Sequence, residues 1–550
     1  MRVALTLLLA AVVLFPLTAG ATIINIPGDY PTIQEGIDHS SDGDTVLVQP
    51  DTYYENLNFY GHNVVLASLF LMTGDTAYVS STIIDGSSSG TVVKFANGEG
   101  QRAYIVGFTI RNGHNDYVGG GINCFRSSPT ISHNNIRDNS AAWAGGGIAC
   151  YEAHPRIHKN SIKGNSAIYW GGGIHCRQFS EPRITNNIIS GNSTEHSGGG
   201  ISSYDNSTPL ILGNTIYGNS ASSGGGIFCF YSNPTIRNTI LWGDAGLMEI
   251  YLYGYSWPEV TYCDVEGGWS GTGNINADPI FVGPEKGDFH LRWHSPCIDA
   301  GQPSLTDPDG TRRDIGAFYF NQDVDGIIEL YPHDTPIVIP PEGGDLFYDG
   351  WAFNFSNEPL TVDVWGYAFV PGSGRYGPLD RYDDVSIGVG DSAGRDNIRK
   401  RVPGPAAAGD YTYVAYIGDF PNTIIDSTYF YFTKTGLIAG GIAEWFDGEG
   451  WFKEADPEVS NLPGDYALSQ NYPNPFNANT VIDYQLPVAG HVKLEVYNTL
   501  GQTVATLVNS KQQAAYGSVV WDASELSSGL YFYKLAAGDF SETKRMMLVK

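Results

Sequence analysis

The chain has little charge, and little of that charge is positive. Only 16% of its 550 residues are charged, and 58 acidic side chains stand against 30 basic ones, which leaves a formal net charge of −28. Nucleic acids and anionic membranes recognise basic surfaces. The charge balance therefore argues against both as partners and is typical of a soluble secreted or surface protein.

Cysteine and long apolar runs are also scarce. Six cysteines in so long a chain do not make a disulfide scaffold, and no CxxC or His/Cys spacing indicates zinc. The one long apolar run is MRVALTLLLAAVVLFPLTAGA at the start of the chain. A basic Arg2, the apolar stretch Val3–Leu17 and small residues at 19–21 form the pattern of a secretory signal peptide. We predict a signal peptide over 1–21 and an exported mature chain.

Glycine, by contrast, is abundant, and much of it lies in a repeat. The tetrapeptide Gly-Gly-Gly-Ile recurs at spacings of 26, 26, 27 and 26 residues, starting at Gly119, Gly145, Gly171, Gly198 and Gly224. The copies share the frame Pro-x-Ile-x-x-Asn-x-Ile-x-x-Asn-Ser. A fixed period of this length indicates a solenoid, and its prolines, glycines and β-branched residues argue against helical repeats. We predict one coil per copy, stacked as parallel strands about 4.8 Å apart.

Stacking places equivalent residues of successive coils in columns. The isoleucines after the glycines form an inward column of Ile122, Ile148, Ile174, Ile201 and Ile227. Two residues later, on the same face, comes a column of Cys124, Cys150, Cys176, Ser203 and Cys229. We expect buried, unpaired thiols there, because parallel side-chain vectors fit disulfide geometry poorly. Cys263 and Cys297 lie past the repeats, and the sequence leaves their pairing open.

Asparagines form two further columns. They are Asn134, Asn160, Asn187 and Asn214, then Asn139, Asn165, Asn192 and Asn219. We expect their amides to hydrogen-bond from coil to coil, and their backbones to supply the left-handed geometry of the corners. We expect the glycines to relax a tight corner. The alternative is that they let a ligand approach the backbone.

This frame resembles the right-handed parallel β-helix superfamily, the pectate-lyase-like solenoids. The stretch from Ile24 to Phe59 is similar to their N-terminal cap, in which a short amphipathic helix, here Thr32–Asp38 with Ile33 and Ile37 inward, precedes the first coil. The stretches ADPIFVGPEKGDFHLRWHSPCIDAG and DPDGTRRDIGAF resemble the closing coil of bacterial surface members. The resemblance covers residues 22–320, about eleven coil-lengths at this period.

Two β-sandwiches complete the all-β fold that we predict, a right-handed parallel β-helix solenoid followed by two immunoglobulin-like domains. Residues 321–435 lose the period and read as strands separated by turns, for example DLFYDGWAFNFSN and STYFYFTK. They predict an immunoglobulin-like or fibronectin-like sandwich. An acidic, glycine-containing linker follows over 436–462.

The tail, residues 463–550, closely resembles the type IX secretion sorting domain. The resemblance rests on NYPNPFN from Asn471, VYNTLGQ from Val496, GLY from Gly529 and the basic pair at Lys544. It implies an immunoglobulin-like sandwich read by export machinery in the outer membrane, and hence a protein outside the cell or on its surface. The alternative is an ordinary terminal sandwich with no role in targeting.

Aromatic residues occupy outward positions of the predicted coils. Beside the cysteine column these positions read Phe125, Tyr151, Arg177, Tyr204 and Phe230, and the approach to the glycines includes Trp143 and Trp170. Rows of exposed rings suit sugars, whose C–H faces pack on π-systems. We predict that these residues bind polysaccharide. The alternative is that the rings only stabilise neighbouring strands.

Catalytic motifs are weak. For lyases the resemblance implies an aspartate cluster that holds calcium plus an Arg or Lys base, and for hydrolases a pair of carboxylates. The repeats contain neither pattern, and only Arg177, His175 and Glu152 remain as weak catalytic candidates. No metal ligands are predicted. Half-patterns of calcium loops at Asp307 and Asp323 leave Ca²⁺ open, and we expect no other cofactor.

The hypothesis that follows is a secreted or surface protein that binds polysaccharide or cell-surface glycan. Two alternatives remain, a polysaccharide lyase or glycoside hydrolase of the pectate-lyase-like superfamily and a structural spacer without catalysis. We expect a monomer that the type IX machinery exports and that binds no nucleic acid.

Overall fold

The computed structural model describes two stretches of the chain. They are 21–436, except 357, 372–373 and 421–422, and 466–548, except 469–470, 472–473, 475, 477–478, 489, 500, 513–514, 525 and 539. The predicted signal peptide, apart from residue 21, and the predicted linker beyond residue 436 lie outside these residues. The chain divides into two compact units, Met1–Phe452 and Lys453–Lys550. None of the helices in the described stretches has the length and apolar character to cross a membrane.

The first unit begins with a solenoid of parallel strands in three long sheets and one short one. The ten-stranded sheet contains Ile23–Ile26, Thr45–Val48, Val65–Ser68, Tyr104–Val106, Thr130–Ser132, Arg156–His158, Arg183–Thr185, Leu210–Leu212, Thr235–Arg237 and Glu259–Thr261. The nine-stranded sheet contains Asp51–Tyr53, Thr82–Asp85, Thr109–Arg111, Asn135–Arg137, Ser161–Lys163, Ile188–Ser190, Thr215–Tyr217, Ile240–Trp242 and Asp264–Val265. The eight-stranded sheet contains Leu57–Asn58, Val93–Phe95, Ile122–Phe125, Ile148–Tyr151, Ile174–Arg177, Ile201–Tyr204, Ile227–Phe230 and Ile250–Tyr253. The four-stranded sheet contains His114–Asn115, Ser140–Ala141, Ser166–Ala167 and Ser193–Thr194.

The predicted solenoid is confirmed, but it has about nine turns rather than eleven. Two insertions explain the difference. The short helices Phe70–Thr73 and Ala77–Ser81 lengthen one corner, which elsewhere takes two residues. Beyond Val265 the chain leaves the coil and forms an antiparallel hairpin, Phe281–Gly283 with Asp288–Leu291, joined by a 3₁₀ turn at Pro284–Lys286.

The predicted columns are present in the interior. The repeat isoleucines and the cysteines beside them are fully buried, and all six cysteines of the chain are free thiols. Cys263 and Cys297 are therefore unpaired; the Cys297 thiol donates to the carboxylate of Asp264, with Sγ 3.3 Å from Oδ2. Burial raises the pKa of Cys229 and Cys263 to about 12, so these thiols stay protonated.

Both asparagine columns form continuous hydrogen-bond ladders. At Asn192 the side-chain amide donates to the Ile162 carbonyl and to Oδ1 of Asn219, each at 2.9 Å. Its own Oδ1 accepts from the backbone and side-chain nitrogens of Asn165, both at 3.0 Å. The expectation about their backbones was wrong, because the left-handed residue at each corner precedes the asparagine, as Lys159 does with a φ of 52°.

The glycine triplets are required by close backbone approach. Gly171 has a left-handed φ of 62°. A Cβ on Gly172 would lie 2.5 Å from the Ser193 carbonyl oxygen, and one on Gly173 would lie 2.6 Å from the Gly200 oxygen of the next coil. Only glycine allows the coils to stack at this corner, which supports the corner role and not a ligand contact.

The N-terminal cap follows the predicted pattern. A helix spans Ile33–Asp38, and the Thr32 side chain caps it by accepting from the backbone nitrogen of Glu35 at 3.2 Å. Ile33 and Ile37 are buried, as predicted. The Glu55 carboxylate accepts from two further backbone nitrogens of the first turn, each at 2.9 Å, and so ties the cap to the first coil.

The described residues of the first unit from 326 to 436 form a β-sandwich. Its three-stranded sheet contains Gly326–Pro332, Gly343–Asn354 and Ser392–Pro403, and its five-stranded sheet contains Ile337–Ile339, Thr423–Lys434, Gly409–Asp419, Leu360–Val370 and Gly374–Ile387. Both sheets contribute to one apolar core. A buried ion pair between Arg292 and Glu329, 3.1 Å apart, and a ring contact of 4.3 Å between Trp293 and Phe355 join the sandwich to the end of the solenoid.

The second unit is a smaller pair of antiparallel sheets. One contains Ala467–Leu468, Asn479–Leu486 and Ala515–Asp522, and the other contains Thr503–Gln512, Gly490–Tyr497, Gly529–Ala537 and Phe540–Leu548. Residues from both sheets share a core of their own.

Candidate functional site

The outer face of the eight-stranded sheet carries the aromatic positions predicted from the sequence. Strand pairing places Phe125, Tyr151, Arg177, Tyr204 and Phe230 in one register, one residue per coil, and continues it to Tyr253. We call these six residues the aromatic ladder. Because parallel strands lie about 4.8 Å apart, the ladder presents a side chain at nearly constant intervals.

Ring contacts make the aromatic ladder two stacks separated by one arginine. Phe125 and Tyr151 stack with centroids 5.2 Å apart. On the other side, Phe230 stacks with Tyr204 at 4.2 Å and with Tyr253 at 5.4 Å, with interplanar angles of 7° and 6°. The Arg177 guanidinium lies 5.5 Å from the Tyr204 centroid and fills the interval.

The ladder extends into a more exposed cluster that the sequence analysis missed. The end cluster, as we name it, consists of Tyr231, Tyr253, Tyr255 and Trp257, whose exposed fractions are 42, 56, 71 and 69%. Tyr255 lies 6.1 Å from Tyr231 and 5.8 Å from Trp257. The dense aromatic run YLYGYSW was the available signal, but it falls where the glycine repeat has ended. Large exposed rings in one patch are uncommon on a soluble protein unless they contact something.

The predicted tryptophans lie at the corner beside the ladder. Trp143 and Trp170 are half-buried, with centroids 5.7 Å apart, and Trp170 lies 5.1 Å from Tyr204. Tyr117 and Tyr169, exposed by 61 and 42%, cover Trp143 at 5.1 and 6.1 Å. The structure therefore brings the predicted tryptophans against the ladder as a supporting layer behind exposed tyrosines.

Two of the three weak catalytic candidates are held in ion pairs. Glu152 accepts from Nε and Nη2 of Arg126 at 2.9 and 3.2 Å, and the Arg126 guanidinium lies over Phe125. Nε of Arg177 donates to Oδ2 of Asp205 at 3.1 Å. Both pairs border the ladder and place charged groups that donate and accept hydrogen bonds beside the rings.

His175 does not reach the surface. Its side chain is only 3% exposed, its Nδ1 lies 2.6 Å from the Ser202 hydroxyl, and the Trp170 and Tyr204 rings lie 6.3 and 6.4 Å away. Burial, with the nearby charge of Arg177, lowers the pKa of His175 to about 3. This burial gives no support to the weak catalytic candidate His175 as a base.

The half-pattern of a calcium loop at Asp307 is structured as a turn. Asp307 accepts from Nη1 of Arg313 at 3.0 Å and from the Asp314 backbone at 2.7 Å, and Asp309 accepts from the Thr311 hydroxyl at 2.8 Å. Within the residues that the structure describes, no group of three or more His, Cys, Asp or Glu side chains is arranged to hold a metal ion.

Comparison with known families identifies both the repeat region and the tail. Residues 68–241 match the family described as "Right handed beta helix region", and residues 470–550 match the "Secretion system C-terminal sorting domain". The solenoid is a right-handed β-helix, and the tail is a secretion sorting domain. The sorting domain indicates type IX secretion and hence export to the cell surface or beyond.

The motif residues of the sorting domain have structural roles. The Asn471 backbone nitrogen donates to the Tyr533 hydroxyl at 2.7 Å, and Phe476 is buried 5.7 Å from the Trp521 ring. Oδ1 of Asn474 accepts from the Met547 backbone at 2.9 Å and ties the motif to the last strand. The motif residues therefore stabilise the fold of the domain in addition to identifying it in the sequence.

Other comparisons show little about the β-helix. No curated protein matches the sequence. Solved structures that align are a transglutaminase from red sea bream (9% identity, TM-score 0.15), a glycosyl hydrolase family 2 member from Bacteroides cellulosilyticus (11%, 0.14) and a β-glucuronidase from Parabacteroides merdae (10%, 0.15). They cover 44, 45 and 44% of this chain, and the chain spans only 36, 27 and 28% of theirs.

Proposed function

We propose that the exported β-helix binds polysaccharide through the aromatic ladder and the end cluster. The observation that carries the proposal is the continuous row of stacked rings from Tyr204 to Tyr253, which opens onto Tyr255 and Trp257 at about 70% exposure. Within the stack the faces of Tyr204 and Phe230 cover one another, as rings that stabilise neighbouring strands do, whereas Tyr253, Tyr255 and Trp257 leave most of their surface to solvent. A stack running across the coils suits an extended chain of sugar rings.

Binding fits the site better than catalysis. A hydrolase or lyase needs a free base or a carboxylate pair near the reacting bond. Here Glu152 and Arg177 are held in ion pairs, and His175 is buried with a pKa near 3. The side chains that face solvent along the ladder are rings and paired charges, which orient and hold a ligand without transferring protons.

The test measures retention and cleavage together. The full chain is run by affinity electrophoresis in gels that contain plant, algal or bacterial polysaccharides, with and without Ca²⁺, and new chain ends are assayed in parallel. We expect retardation without new ends, and a roughly tenfold or greater weakening in the double variant Tyr255→Ala, Trp257→Ala. The matched control replaces Tyr54 and Tyr60, exposed by 70 and 61% at the opposite end of the β-helix.

Three results would overturn the proposal. New chain ends would establish a polysaccharide lyase or glycoside hydrolase. Migration unaffected by every polysaccharide would leave the structural spacer as the remaining function. Equal weakening in the Tyr54→Ala, Tyr60→Ala control would show that the retention does not arise from this face.

A further inference from the structure

A second surface of the β-helix lies on a different sheet and has different chemistry. The outer face of the ten-stranded sheet forms the floor of an open groove of about 850 Å³. The groove crosses six stacked strands, from Tyr104–Val106 to Thr235–Arg237, which corresponds to about 24 Å along the solenoid. None of its lining residues belongs to the aromatic ladder, the end cluster or the corner beside them.

A non-repeating segment that contains Gln302 and Arg313 folds back along the coils and forms a wall of the groove. The backbone nitrogen of Gln302 donates to Oδ1 of Asn238 at 2.8 Å, and Nη2 of Arg313 donates to Oδ1 of Asn186 at 3.2 Å. These bonds hold the segment against two turns that have one other turn between them. Leu305, 44% exposed, lies in the resulting wall. Without this segment the sheet face would be flat and open.

Four arginines and no carboxylate line the groove. Arg156 and Arg183 are exposed and directly opposite each other on neighbouring strands. Among the described residues, neither guanidinium has an acidic partner. Arg313 pairs with Asp307, and Arg237 pairs with Glu259 at 2.5 Å while its buried Nε makes no hydrogen bond in the described chain.

The positive charge is unusual for this chain. In a chain with a net charge of −28, two adjacent arginines would form ion pairs if the fold placed carboxylates beside them. In the ten-stranded sheet, Arg156 is paired on its other side with Thr130, and Arg183 with Leu210. Burial and the charge of Lys159 lower the pKa of His158, so its imidazole adds no charge at neutral pH. The unpaired guanidinium groups of Arg156 and Arg183 therefore give the groove its net positive charge.

We propose that this groove binds an acidic polysaccharide, with Arg156 and Arg183 pairing with carboxylate or sulfate groups of successive sugars. Guanidinium groups bind both anions with two parallel hydrogen bonds. The hydroxyl and amide groups of Thr130, Thr185 and Gln302 supply partners for sugar hydroxyls. The site is independent of the aromatic face, so that either proposal stands if the other fails.

A peptide fits the groove less well. Extended peptides bind sheets by adding a strand at an open edge, where backbone groups are free. The floor of this groove is a sheet face, and its backbone groups already bond from coil to coil, as in the pairing of Arg156 with Arg183. A helix would need an apolar channel, whereas this one has exposed guanidinium groups along its floor.

The experiment titrates the full chain by calorimetry with oligomers of a sulfated galactan, of a uronic-acid polymer and of a neutral galactan. We expect at least one acidic oligomer to bind and the neutral one to bind at least tenfold more weakly at this site. The double variant Arg156→Gln, Arg183→Gln should weaken acidic binding roughly tenfold or more. It should leave unchanged any retention that depends on Tyr255 and Trp257.

The matched control is Arg137→Gln with Lys163→Gln. These two residues are also opposite each other on neighbouring strands, but in the nine-stranded sheet, so the control removes the same charge from another face. Equal losses in both variants, or acidic binding that survives Arg156→Gln, Arg183→Gln, would overturn the proposal. Stronger Arg156-dependent binding of polyglutamate than of either acidic oligomer would also overturn it, in favour of an acidic peptide.

Discussion

The ring of Tyr204 lies on the ring of Phe230, with centroids 4.2 Å apart and planes 7° from parallel. The two residues are 26 positions apart in sequence and directly opposite in the parallel ladder. Tyr204 also contacts Trp170 and carries the Arg177 guanidinium over its face. It is the point at which the aromatic ladder, the corner tryptophans and the polar border meet.

Stability and binding should separate along the ladder. We expect Tyr204→Ala to lower the free energy of unfolding by about 1–3 kcal/mol, because it removes several ring contacts at once. Trp257→Ala, at a site 69% exposed, should change it by less than about 0.5 kcal/mol yet weaken polysaccharide retention. Thermal unfolding and affinity electrophoresis of both variants make the comparison. A large stability loss in Trp257→Ala would contradict this division.

The asparagine ladder should be sensitive to single substitutions. Asn192→Ala leaves the Ile162 carbonyl and the Asn165 amide without partners in the buried corner, which we expect to cost about 3 kcal/mol. Asn321→Ala, at an exposed position outside the strands, should cost less than about 0.5 kcal/mol. Urea denaturation followed by circular dichroism measures both. Similar midpoints for the two variants would show that the ladder contributes little.

Glycines in the repeat should differ according to their surroundings. Gly172→Ala places a Cβ 2.5 Å from a backbone oxygen of the next coil, and we expect a loss of about 3 kcal/mol or failure to fold. Gly191→Ala is the control: its φ is 60°, but nothing lies within 4 Å of the added atom, and the cost should be about 1 kcal/mol. Melting temperatures of the two variants decide whether stacking, and not turn geometry, sets the larger penalty.

A buried carboxylate pair should make the β-helix less stable as pH rises. Asp244 ends the second asparagine ladder, where it accepts from Asn219 at 2.6 and 2.8 Å, and its backbone nitrogen donates to Glu249 at 3.1 Å. Burial raises the pKa of Asp244 from 3.8 to about 6, and burial with the Asp244 charge raises that of Glu249 from 4.5 to about 10. The folded state therefore holds more protons than the unfolded state from about pH 4 to about pH 10, and stability falls across that window.

Replacing one acid by an amide tests this dependence. Glu249→Gln keeps an acceptor for the Asp244 nitrogen and removes the carboxyl group whose pKa is raised most, so its urea midpoint should fall less than that of the wild type between about pH 5 and about pH 9. The exposed substitution Glu195→Gln is the control for charge alone. A wild-type midpoint that rises over this range, in parallel with the variant, would refute the assignment.

The thiols should be unreactive in the folded protein. All six cysteines are free and buried. We expect no reaction with a thiol-specific chromogenic reagent under native conditions and six equivalents in denaturant without reductant. Ser222→Cys, at an exposed position, should add one fast-reacting equivalent. A deficit of two equivalents in denaturant would indicate a disulfide between Cys263 and Cys297.

Much of the β-helix was predictable because each coil repeats a local rule. The spacing of the glycine triplets defined the register, and the register placed Phe125, Tyr151, Arg177, Tyr204 and Phe230 in one row. The number of turns was not predictable, since the inserted helices and the closing segment have lengths that the period does not describe. The end cluster was not predicted either, because it lies where the glycine repeat has ended.

Alternation of side chains along a strand told which residues point outward, but not which of these remain exposed. His175 points away from the interior and is nevertheless buried, because Trp170 and Tyr204 come from other positions in the coils to surround it. The exposure of a side chain depends on its neighbours. The neighbours from other coils cover it or not according to their rotamers, which a sequence pattern does not specify.

The sequence by itself determined the stacking of coils, the buried columns, the row of aromatic positions and the sorting tail, because each rests on periodic or contiguous residues. Only the tertiary structure decided where grooves form and which charges are free. The arginine-lined groove exists because residues near Gln302 return to turns that contain Asn186 and Asn238, more than 60 positions earlier. Contacts of that range obey no period, and they arise when the chain closes on itself.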